Sequence, residues 1–336
     1  MRALAFVELI IATLAVAARP AAAQHGRMGL VEARPGDTPP VVQLYTFGRG
    51  ALIFEKFGHT ALCLDYNEPE RETVCFNYGV TDFTIPGATL TWRFIRGKQV
   101  FFVEPIPLSG MMAFYKREDR TIWRQSLPLS PEQARAAEAK LLGDLDPKKG
   151  SYIYDHFVDN CTTRLRDIID NASGGKFKVD SDRRFPLTLR QMGRRGLAEL
   201  PPLIAFADFA LGRYLDQRPT VWQAMFHPFV LRDEVEAAFG AKPELLYQRR
   251  GPPIPEDGPT DRPYALLIGL VLMLPLLAAR LTGRFERAAL AIGAIPAGLL
   301  GVVLWTVAII STIPTVRWNE ALFLYLPLDL ALPFLG

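Results

Sequence analysis

Residues 159–167 have the sequence Asp-Asn-Cys-Thr-Thr-Arg-Leu-Arg-Asp, and this stretch decides the predicted fold at the centre of the chain. Asp159 or Asn160 can cap a helix, so that Cys161 falls in its first turn. There the helix dipole and the free N–H groups favour the thiolate form of a cysteine. Helical spacing puts Leu165 on the same side as Cys161, and this apolar side is predicted to pack on a sheet.

The predicted sheet lies N-terminal to this helix, where runs of β-branched and aromatic residues alternate with turn signals. The strand candidates are residues 41–47, 60–65, 73–78, 99–104 and 121–127. Because side chains alternate across a sheet, His59 and Cys63 share one face. On the partner strand, Cys75 and Asn77 share a face for the same reason. A His at a strand start and a Cys at a helix start are the two parts of a thiol–imidazole pair.

Helices are predicted on both sides of this pair. Ser130 and Gln133 fit a capping box for a helix that runs to about Leu145. The helix that begins at Cys161 is predicted to end near Gly174. A further helical pattern extends over residues 186–240, with breaks at residues 196–202 and 218–219.

The three cysteines have different predicted roles. A symmetric hairpin would put Cys63 opposite Cys75, where the two could form a disulfide. Two buried free thiols that pack as small hydrophobic groups are an equal alternative. Cys161 is the odd cysteine, and this makes it the candidate nucleophile.

The two ends of the chain are more apolar than its middle. An apolar run followed by Ala21-Ala22-Ala23 is typical of a secretory signal peptide. Residues 264–281 and 288–312 are each long and apolar enough to cross a membrane. The loop between them is rich in arginine, so the positive-inside rule predicts that this loop is cytoplasmic. The domain that precedes these spans then lies outside the cytoplasm.

The composition excludes several classes of function. A formal net charge of +3, with basic and acidic residues interspersed, does not favour nucleic acid as a partner. The four histidines lack metal-binding spacing, and no Cys-x-x-Cys motif occurs, so no metal site is predicted.

Two segments, residues 57–62 and 154–161, resemble the motifs of circularly permuted NlpC-like thiol enzymes, in which His precedes Cys. The lecithin:retinol acyltransferase (LRAT) group is one branch of these enzymes. A closer resemblance is to the Lnb lipoprotein N-acyltransferases. The matching residues are Gly58-His59, Phe76 to Gly79, Asp159 to Cys161, Arg164, Asp167, Leu211 to Arg213, Asp216, Thr220, Trp222, Met225-Phe226 and Trp318-Asn319. His156 and His227 depart from the family pattern, which has an apolar aromatic and an aliphatic residue there.

The resemblance implies the roles of the site residues. His59 would act as the general base for Cys161, and Asn77 would orient the imidazole, although a turn-capping role for Asn77 is an even alternative. Asp155 and Asp159 are the other candidates for orienting the imidazole. The N–H of Cys161 at the helix start would donate to an oxyanion. Asn160 would support the helix start, and Arg164 can pair with Asp167 or Asp170 along the helix.

The resemblance also implies the fold class, which is α+β. It predicts a papain-like, circularly permuted NlpC/LRAT-like periplasmic domain with a helical extension, followed by C-terminal transmembrane helices. The predicted organisation is a signal peptide at 1–23, a flexible lead-in at 24–40, a periplasmic thiol acyltransferase domain at 41–240 with a helical extension from about 186, a linker at 241–262, and a membrane segment of two or three helices at 263–336.

The implied reaction is transfer of a fatty acyl chain from a phospholipid to the N-terminal amine of a diacylglyceryl-cysteine lipoprotein. It would proceed through a thioester on Cys161, without a cofactor, at the bacterial inner membrane. Two alternatives remain open from the sequence. One is a periplasmic Cys-His hydrolase, such as a cell-wall peptidase, an amidase or a lipid thioesterase. The other is a non-enzymatic, membrane-tethered binding module of the envelope.

Overall fold

A computed structural model of the chain describes residues 28–51, 55–82, 85–178, 182–257 and 262–335. The predicted signal peptide lies outside these residues. Among the described residues, seven strands form one antiparallel sheet in the order β6-β4-β3-β2-β1-β5-β7. The strands are β1 (Val41–Phe47), β2 (His59–Asp65), β3 (Val74–Val80), β4 (Val100–Pro107), β5 (Ile122–Ser126), β6 (Tyr152–Ile153) and β7 (Glu244–Tyr247).

The described helices lie between the strands and after them in chain order. The first nine are α1 (Gly87–Ile95), α2 (Leu108–Arg117), α3 (Pro131–Gly143), α4 (Pro147–Gly150), α5 (Cys161–Ala172), α6 (Leu189–Gly196), α7 (Pro201–Ala210), α8 (Val221–Ala224) and α9 (Pro228–Phe239). The C-terminal ones are α10 (Arg262–Thr282), α11 (Glu286–Ile310), α12 (Pro314–Arg317), α13 (Ala321–Leu324) and α14 (Leu332–Leu335). Short 3-10 turns occupy Lys176–Lys178, Arg213–Asp216 and Pro327–Ala331.

All five predicted strands are present, with ends that differ from the prediction by three residues or fewer. The segment predicted as a linker from residue 241 instead begins with β7. This strand pairs with β5, and Arg124 forms an ion pair with Glu244 across the pair, with 2.5 Å between Nη2 and Oε2. Pairing satisfies the backbone groups of the β5 edge, which explains why this segment is extended.

Each face of the sheet has its own apolar core. One face carries Leu62 and Phe76, against which the apolar side of α5 packs through Leu165 and Ile169. The other face is covered by α2, with Met111 among its buried residues. The predicted packing of the cysteine helix on the sheet is therefore present, and α2 is an additional helix that the sequence pattern did not predict.

Residues 28–40, predicted as part of a flexible lead-in, lie against the domain. The N–H of Val31 donates to the carbonyl of Pro105 at 3.3 Å, and Arg135 donates to the carbonyl of Gly36 at 2.8 Å. Met28 is buried. These contacts fix the segment because they satisfy its polar groups and bury its apolar side chain.

The described chain divides into two compact units. One contains the sheet, from Met28 to Leu187 and from Arg218 to Ile254, and the other contains Thr188–Gln217 together with the C-terminal helices. The predicted helical extension from about residue 186 is therefore divided, with residues 188–217 in the unit of the C-terminal helices and residues 218–240 in the unit of the sheet. In this second unit, the N–H of Arg213 donates to Oε2 of Glu320 at 2.9 Å.

The C-terminal unit holds two long apolar helices at the predicted positions, α10 and α11. Within the described residues, α11 is the one helix that is long and apolar enough to cross a membrane by length and composition. Leu266–Thr282 and Ala321–Leu335 are shorter apolar helical segments.

Candidate active site

The start of α5 is fixed by the side chain of Asn160. Its Oδ1 accepts hydrogen bonds from the N–H groups of Thr162 and Thr163, both at 2.9 Å, so Asn160 is the cap. Its Nδ2 donates to the carbonyls of His156 at 2.8 Å and Phe226 at 3.0 Å. Because every polar atom of this amide has a partner, the first turn of α5, with Cys161 at its first position, has one defined orientation.

The turn before α5 is held by the two acidic residues that the sequence offered as alternative orienting groups. Asp155 accepts hydrogen bonds from the N–H groups of Phe157 at 2.9 Å and Val158 at 3.1 Å. Asp159 forms a two-point ion pair with Arg164, with both N···O distances at 2.6 Å. Arg164 therefore pairs back across the helix start instead of forward along the helix. These contacts give both carboxylates a structural role in the turn.

Cys161 lies against the start of β2. Its Sγ is 3.7 Å from Oγ1 of Thr162, which in turn lies 3.3 Å from Oγ1 of Thr60. Burial raises the pKa of the Cys161 thiol, although the N–H and hydroxyl groups of Thr162 and Thr60 act in the opposite direction. This direction is opposite to the sequence-based expectation of a favoured thiolate, because burial is the largest cause of the shift.

Gly79 makes room for the thiol on the neighbouring strand. Its φ is +95°, a conformation that favours glycine. A Cβ atom at Gly79 would lie 3.8 Å from Cβ of Cys161 and 4.0 Å from Oη of Tyr152. The cysteine and the tyrosine hydroxyl therefore converge on the same point above β3.

His59 is the first residue of β2, and its ring contacts two aromatic rings and one amide. Gly58 has a φ of +86°, and a Cβ there would lie only 2.7 Å from the carbonyl oxygen of Phe47, so glycine is required at the entrance to this strand. The imidazole stacks with Phe47 and Tyr115, with ring centroids 6.2 and 6.3 Å away. Its Nε2 forms a short hydrogen bond with Oδ1 of Asn77.

Burial lowers the pKa of His59 to about 4, and the charge of Arg120 acts in the same direction. The guanidinium of Arg120 is buried, lies 3.4 Å from Glu55 and donates to the carbonyl of Gly48 at 2.8 Å. The imidazole is therefore neutral at pH 7. Because a carbonyl oxygen only accepts, Nε2 carries the proton toward Asn77, and Nδ1 carries the lone pair.

The predicted base is the first residue of β2, and the predicted nucleophile contacts the same end of that strand. The thiol contacts Thr60, the residue next to His59. Among the described contacts, the imidazole hydrogen-bonds Asn77, the thiol contacts the two threonines, and the two groups do not hydrogen-bond each other. Such bonds are often long or absent in enzymes without substrate.

Two aromatic residues near the thiol were not singled out by the sequence. The hydroxyl of Tyr152 is buried and has no hydrogen-bond partner within the described residues. The charge of a Cys161 thiolate contributes to raising the pKa values of Tyr152 and Tyr154, after the larger effect of burial. Both hydroxyls are therefore protonated at neutral pH.

His156 lies in an aromatic shell beside these tyrosines. Its Nδ1 is 3.2 Å from the hydroxyl of Tyr154, and its ring centroid is 4.4 Å from that of Phe57 and 5.3 Å from that of Phe226. Burial lowers the pKa of His156 to about 4. Nε2 is buried without a partner in the described part of the chain.

The remaining cysteines form a disulfide. Cys63 on β2 is in register with Cys75 on β3, and a bond joins the two sulfurs. Of the two alternatives that the sequence left open, the structure contains the disulfide. It lies on the face that carries Asn77, two residues along β3, so it ties together the two strands that hold the imidazole and its partner.

No group of three or more His, Cys, Asp or Glu residues in the described ranges is arranged to hold a metal ion. The arrangement instead combines a thiol at a helix start, a neutral imidazole with an orienting amide, and a buried hydroxyl donor. These groups can perform nucleophilic acyl transfer.

Residues 39–195 match the family model described as the Lnb N-terminal periplasmic domain. The match confirms the resemblance derived from the His and Cys motifs. None of the curated proteins and none of the solved structures compared with the chain matches it.

Proposed function

We propose that the chain is an apolipoprotein N-acyltransferase, because its residues 39–195 match the model of the Lnb N-terminal periplasmic domain. It would transfer a fatty acyl chain from a phospholipid to the N-terminal amine of a diacylglyceryl-cysteine lipoprotein. The family association with lipoprotein N-acylation supports an enzyme of the acyltransferase class. The thioester mechanism is our proposal.

The observation that carries the proposal is the contact between the start of α5 and the start of β2. The capped start of α5 brings Cys161 against the start of β2, where Asn77 holds the imidazole of His59. We assign this arrangement to a papain-like, circularly permuted thiol enzyme, with His before Cys in the chain. It supports that fold assignment within the mixed α/β architecture.

In the first step, Nδ1 of His59 takes the proton of the Cys161 thiol as sulfur attacks the ester carbonyl of a phospholipid. The tetrahedral oxyanion accepts hydrogen bonds from the N–H of Cys161 and the hydroxyl of Tyr152. When the intermediate collapses, the ester C–O bond breaks, and His59 gives its proton to the departing lysophospholipid oxygen. The acyl chain remains on sulfur as a thioester.

In the second step, the neutral N-terminal amine of the lipoprotein attacks the thioester carbonyl. His59 takes a proton from the attacking nitrogen and returns it to sulfur as the C–S bond breaks. The products are an amide and the original thiol, so the cycle needs no cofactor. This is ping-pong chemistry, in which both acyl transfers use the same oxyanion donors.

The pKa directions define how the first proton moves. Burial raises the pKa of the Cys161 thiol and lowers that of His59 to about 4, so the resting pair is neutral. Proton transfer must therefore accompany sulfur attack instead of preceding it as a stored ion pair. Such a site would resist oxidation, because the protonated thiol is the less reactive form.

The proposal includes a membrane location. We assign α10 and α11 to the inner membrane, with the arginine-rich loop between them on the cytoplasmic side and the catalytic domain in the periplasm. The length and apolar composition of α11 support this assignment, as does the periplasmic description of the matching family. The domain division at 41–240, 241–262 and 263–336 remains part of the proposal, with β7 added to the catalytic domain.

The test is to incubate the purified full chain with phospholipid in detergent and to search by mass spectrometry for a fatty acyl adduct on Cys161. We expect an adduct that neutral hydroxylamine removes, absent in Cys161→Ser and strongly reduced in His59→Ala. Addition of a diacylglyceryl lipopeptide should discharge it and acylate the peptide amine. Discharge to free fatty acid at the same rate with and without lipopeptide would instead establish a hydrolase.

A further inference from the structure

An exposed aromatic and basic surface lies at the β6–β4 edge of the sheet. We define this rim surface by four apolar side chains, Trp92 and Phe94 on α1, Val100 on β4 and Ile153 on β6, each between 41 and 47% exposed. Val100 and Ile153 face each other as register partners. Large apolar side chains that gather on the surface of a domain mark an interaction site.

The rim surface is connected to the candidate active site by a series of aromatic rings. The ring centroid of Phe94 is 5.7 Å from that of Tyr154, which is 5.0 Å from that of Phe101. Phe101 is the register partner of Tyr152, whose hydroxyl converges with Cys161 on Gly79. A series of packed aromatic side chains therefore extends from the protein surface toward the Cys161 side of β3.

The charge around the rim surface has one sign. Between Asp82 and Glu104 the sequence contains three basic residues, Arg93, Arg96 and Lys98, and no acidic residue. The guanidinium of Arg96 lies 5.9 Å from the ring centroid of Trp92. Tryptophan and phenylalanine flanked by arginine and lysine are typical of a helix that lies in a membrane interface.

We propose that the rim surface docks on the anionic surface of a phospholipid bilayer, and that an acyl chain passes from the bilayer along Phe94 and Tyr154 to Cys161. The first claim is the docking half of the proposal, and the second is the delivery half. The delivery half rests on the proposed function, since it names the donor lipid of that site. The complementary charge of anionic headgroups favours a lipid occupant, and so does a chain that carries the apolar helix α11.

The docking half is tested by crosslinking, without reference to activity. The photoreactive residue benzoylphenylalanine is introduced at Trp92 or at Leu245 in the full chain, reconstituted in nanodiscs of phosphatidylglycerol and phosphatidylcholine. Leu245 is the matched control, because it is 51% exposed and lies on β7 at the opposite edge of the sheet. We expect a lipid adduct from position 92 and none from position 245. Equal labelling at both positions, or crosslinking of position 92 to a second copy of the chain, would overturn the proposal.

The delivery half is tested by acyl-enzyme formation with two forms of the same phospholipid, bilayer and detergent-dispersed. Trp92→Glu should lower the rate on bilayers about tenfold and leave the rate on dispersed lipid unchanged, whereas Leu245→Glu should change neither. Neutralising Arg93 or Lys98 with glutamine should cost on the order of fivefold each on anionic bilayers, less at high salt. An equal loss on both lipid forms would contradict docking. If the unaltered chain forms no acyl-enzyme on either form, the proposed function fails, and crosslinking still decides whether the rim surface binds lipid.

Discussion

The imidazole of His59 donates a hydrogen bond through Nε2 to the amide oxygen of Asn77 on the neighbouring strand. This bond fixes the tautomer, because Nδ1 must then carry the lone pair, which in the proposed mechanism accepts the thiol proton. It also holds a ring that stacks with Phe47 and Tyr115, whose own ring centroids lie 3.7 Å apart. In the proposed mechanism, Asn77 therefore keeps the base in one orientation and one protonation pattern.

Replacing Asn77 by Ala should lower kcat for acyl-enzyme formation on the order of a hundredfold, because the imidazole loses its fixed tautomer. Asn67→Ala is the matched control, since Asn67 lies in the loop between β2 and β3 and contacts Asp65 instead of the base. Both variants are compared by single-turnover acylation followed by mass spectrometry. An Asn77→Ala enzyme with unchanged kcat and reduced thermal stability would show that Asn77 only caps the strand end.

Tyr152→Phe tests whether the role of Tyr152 is to donate a hydrogen bond to the oxyanion or only to pack in the core. The buried hydroxyl of Tyr152 has no partner in the described part of the chain, so its removal should not lower stability and can raise it. Loss of one donor to the oxyanion should lower kcat about a hundredfold or more, with little change in KM. Tyr45→Phe, which removes a buried hydroxyl bonded to Gln43, is the control. A stable Tyr152→Phe enzyme with full kcat would remove Tyr152 from the mechanism.

Much of the site could be predicted because it depends on local rules. The strand alternation identified the face shared by Asn77 and Cys75, and the capping preference identified the start of the helix at Cys161. The order of His59 and Cys161 in the chain then suggested the family. Each of these signals comes from a few consecutive residues whose side chains have a fixed direction.

The rest depends on tertiary contacts that a single sequence does not display. Tyr152 belongs to a strand of two residues, too short to produce an alternating pattern. α2 begins with Leu108-Ser109-Gly110, a poor helix start that is stabilised by the burial of Met111 and its neighbours. The pKa of the Cys161 thiol was misjudged because burial cannot be derived from helix position.

His156 should make the stability of the domain depend on pH. The unfolded chain protonates this residue near its ordinary pKa of 6.5, whereas burial lowers the folded-state pKa to about 4. The unfolded state thus binds more protons in this window, and stability falls as the pH drops from about 6.5 to about 4. His156→Phe should raise the thermal midpoint at pH 5 and flatten its pH dependence. The pH dependence that remains should come in part from His59.

The control for that variant is His227→Phe. Nδ1 of His227 accepts a hydrogen bond from the N–H of Phe229 and caps α9, so this substitution should lower stability by about 1 kcal/mol. Both variants are measured by thermal unfolding in detergent across pH 4 to 7. A pH dependence of His156→Phe that equals that of the unaltered protein would show that His156 titrates normally.

The Cys63–Cys75 disulfide should stabilise the strand pair without taking part in the reaction. It closes a loop with a sequence separation of 12 residues, for which chain entropy predicts about 3 kcal/mol. The double variant with Ser at both positions should therefore unfold at a lower temperature and still form the acyl-enzyme on Cys161 when assayed well below that temperature. Loss of the adduct in a variant that remains folded would mean that the disulfide is needed to position His59 and Asn77.

The two chemical steps should respond differently to pH. Acyl-enzyme formation needs a neutral His59, and because burial lowers its pKa to about 4, the acid limb of this step should have its midpoint near pH 4. An imidazole of ordinary pKa would give a midpoint near 6.5. Discharge to the lipopeptide also needs a neutral amine, whose ordinary pKa is about 8, so the rate of this step should continue to rise from pH 6 to pH 8.

The two rates are measured separately, by rapid quench of adduct formation and by discharge of preformed adduct. If both rates fall together below pH 6.5, His59 is a solvated base, and the buried, neutral pair proposed here is wrong.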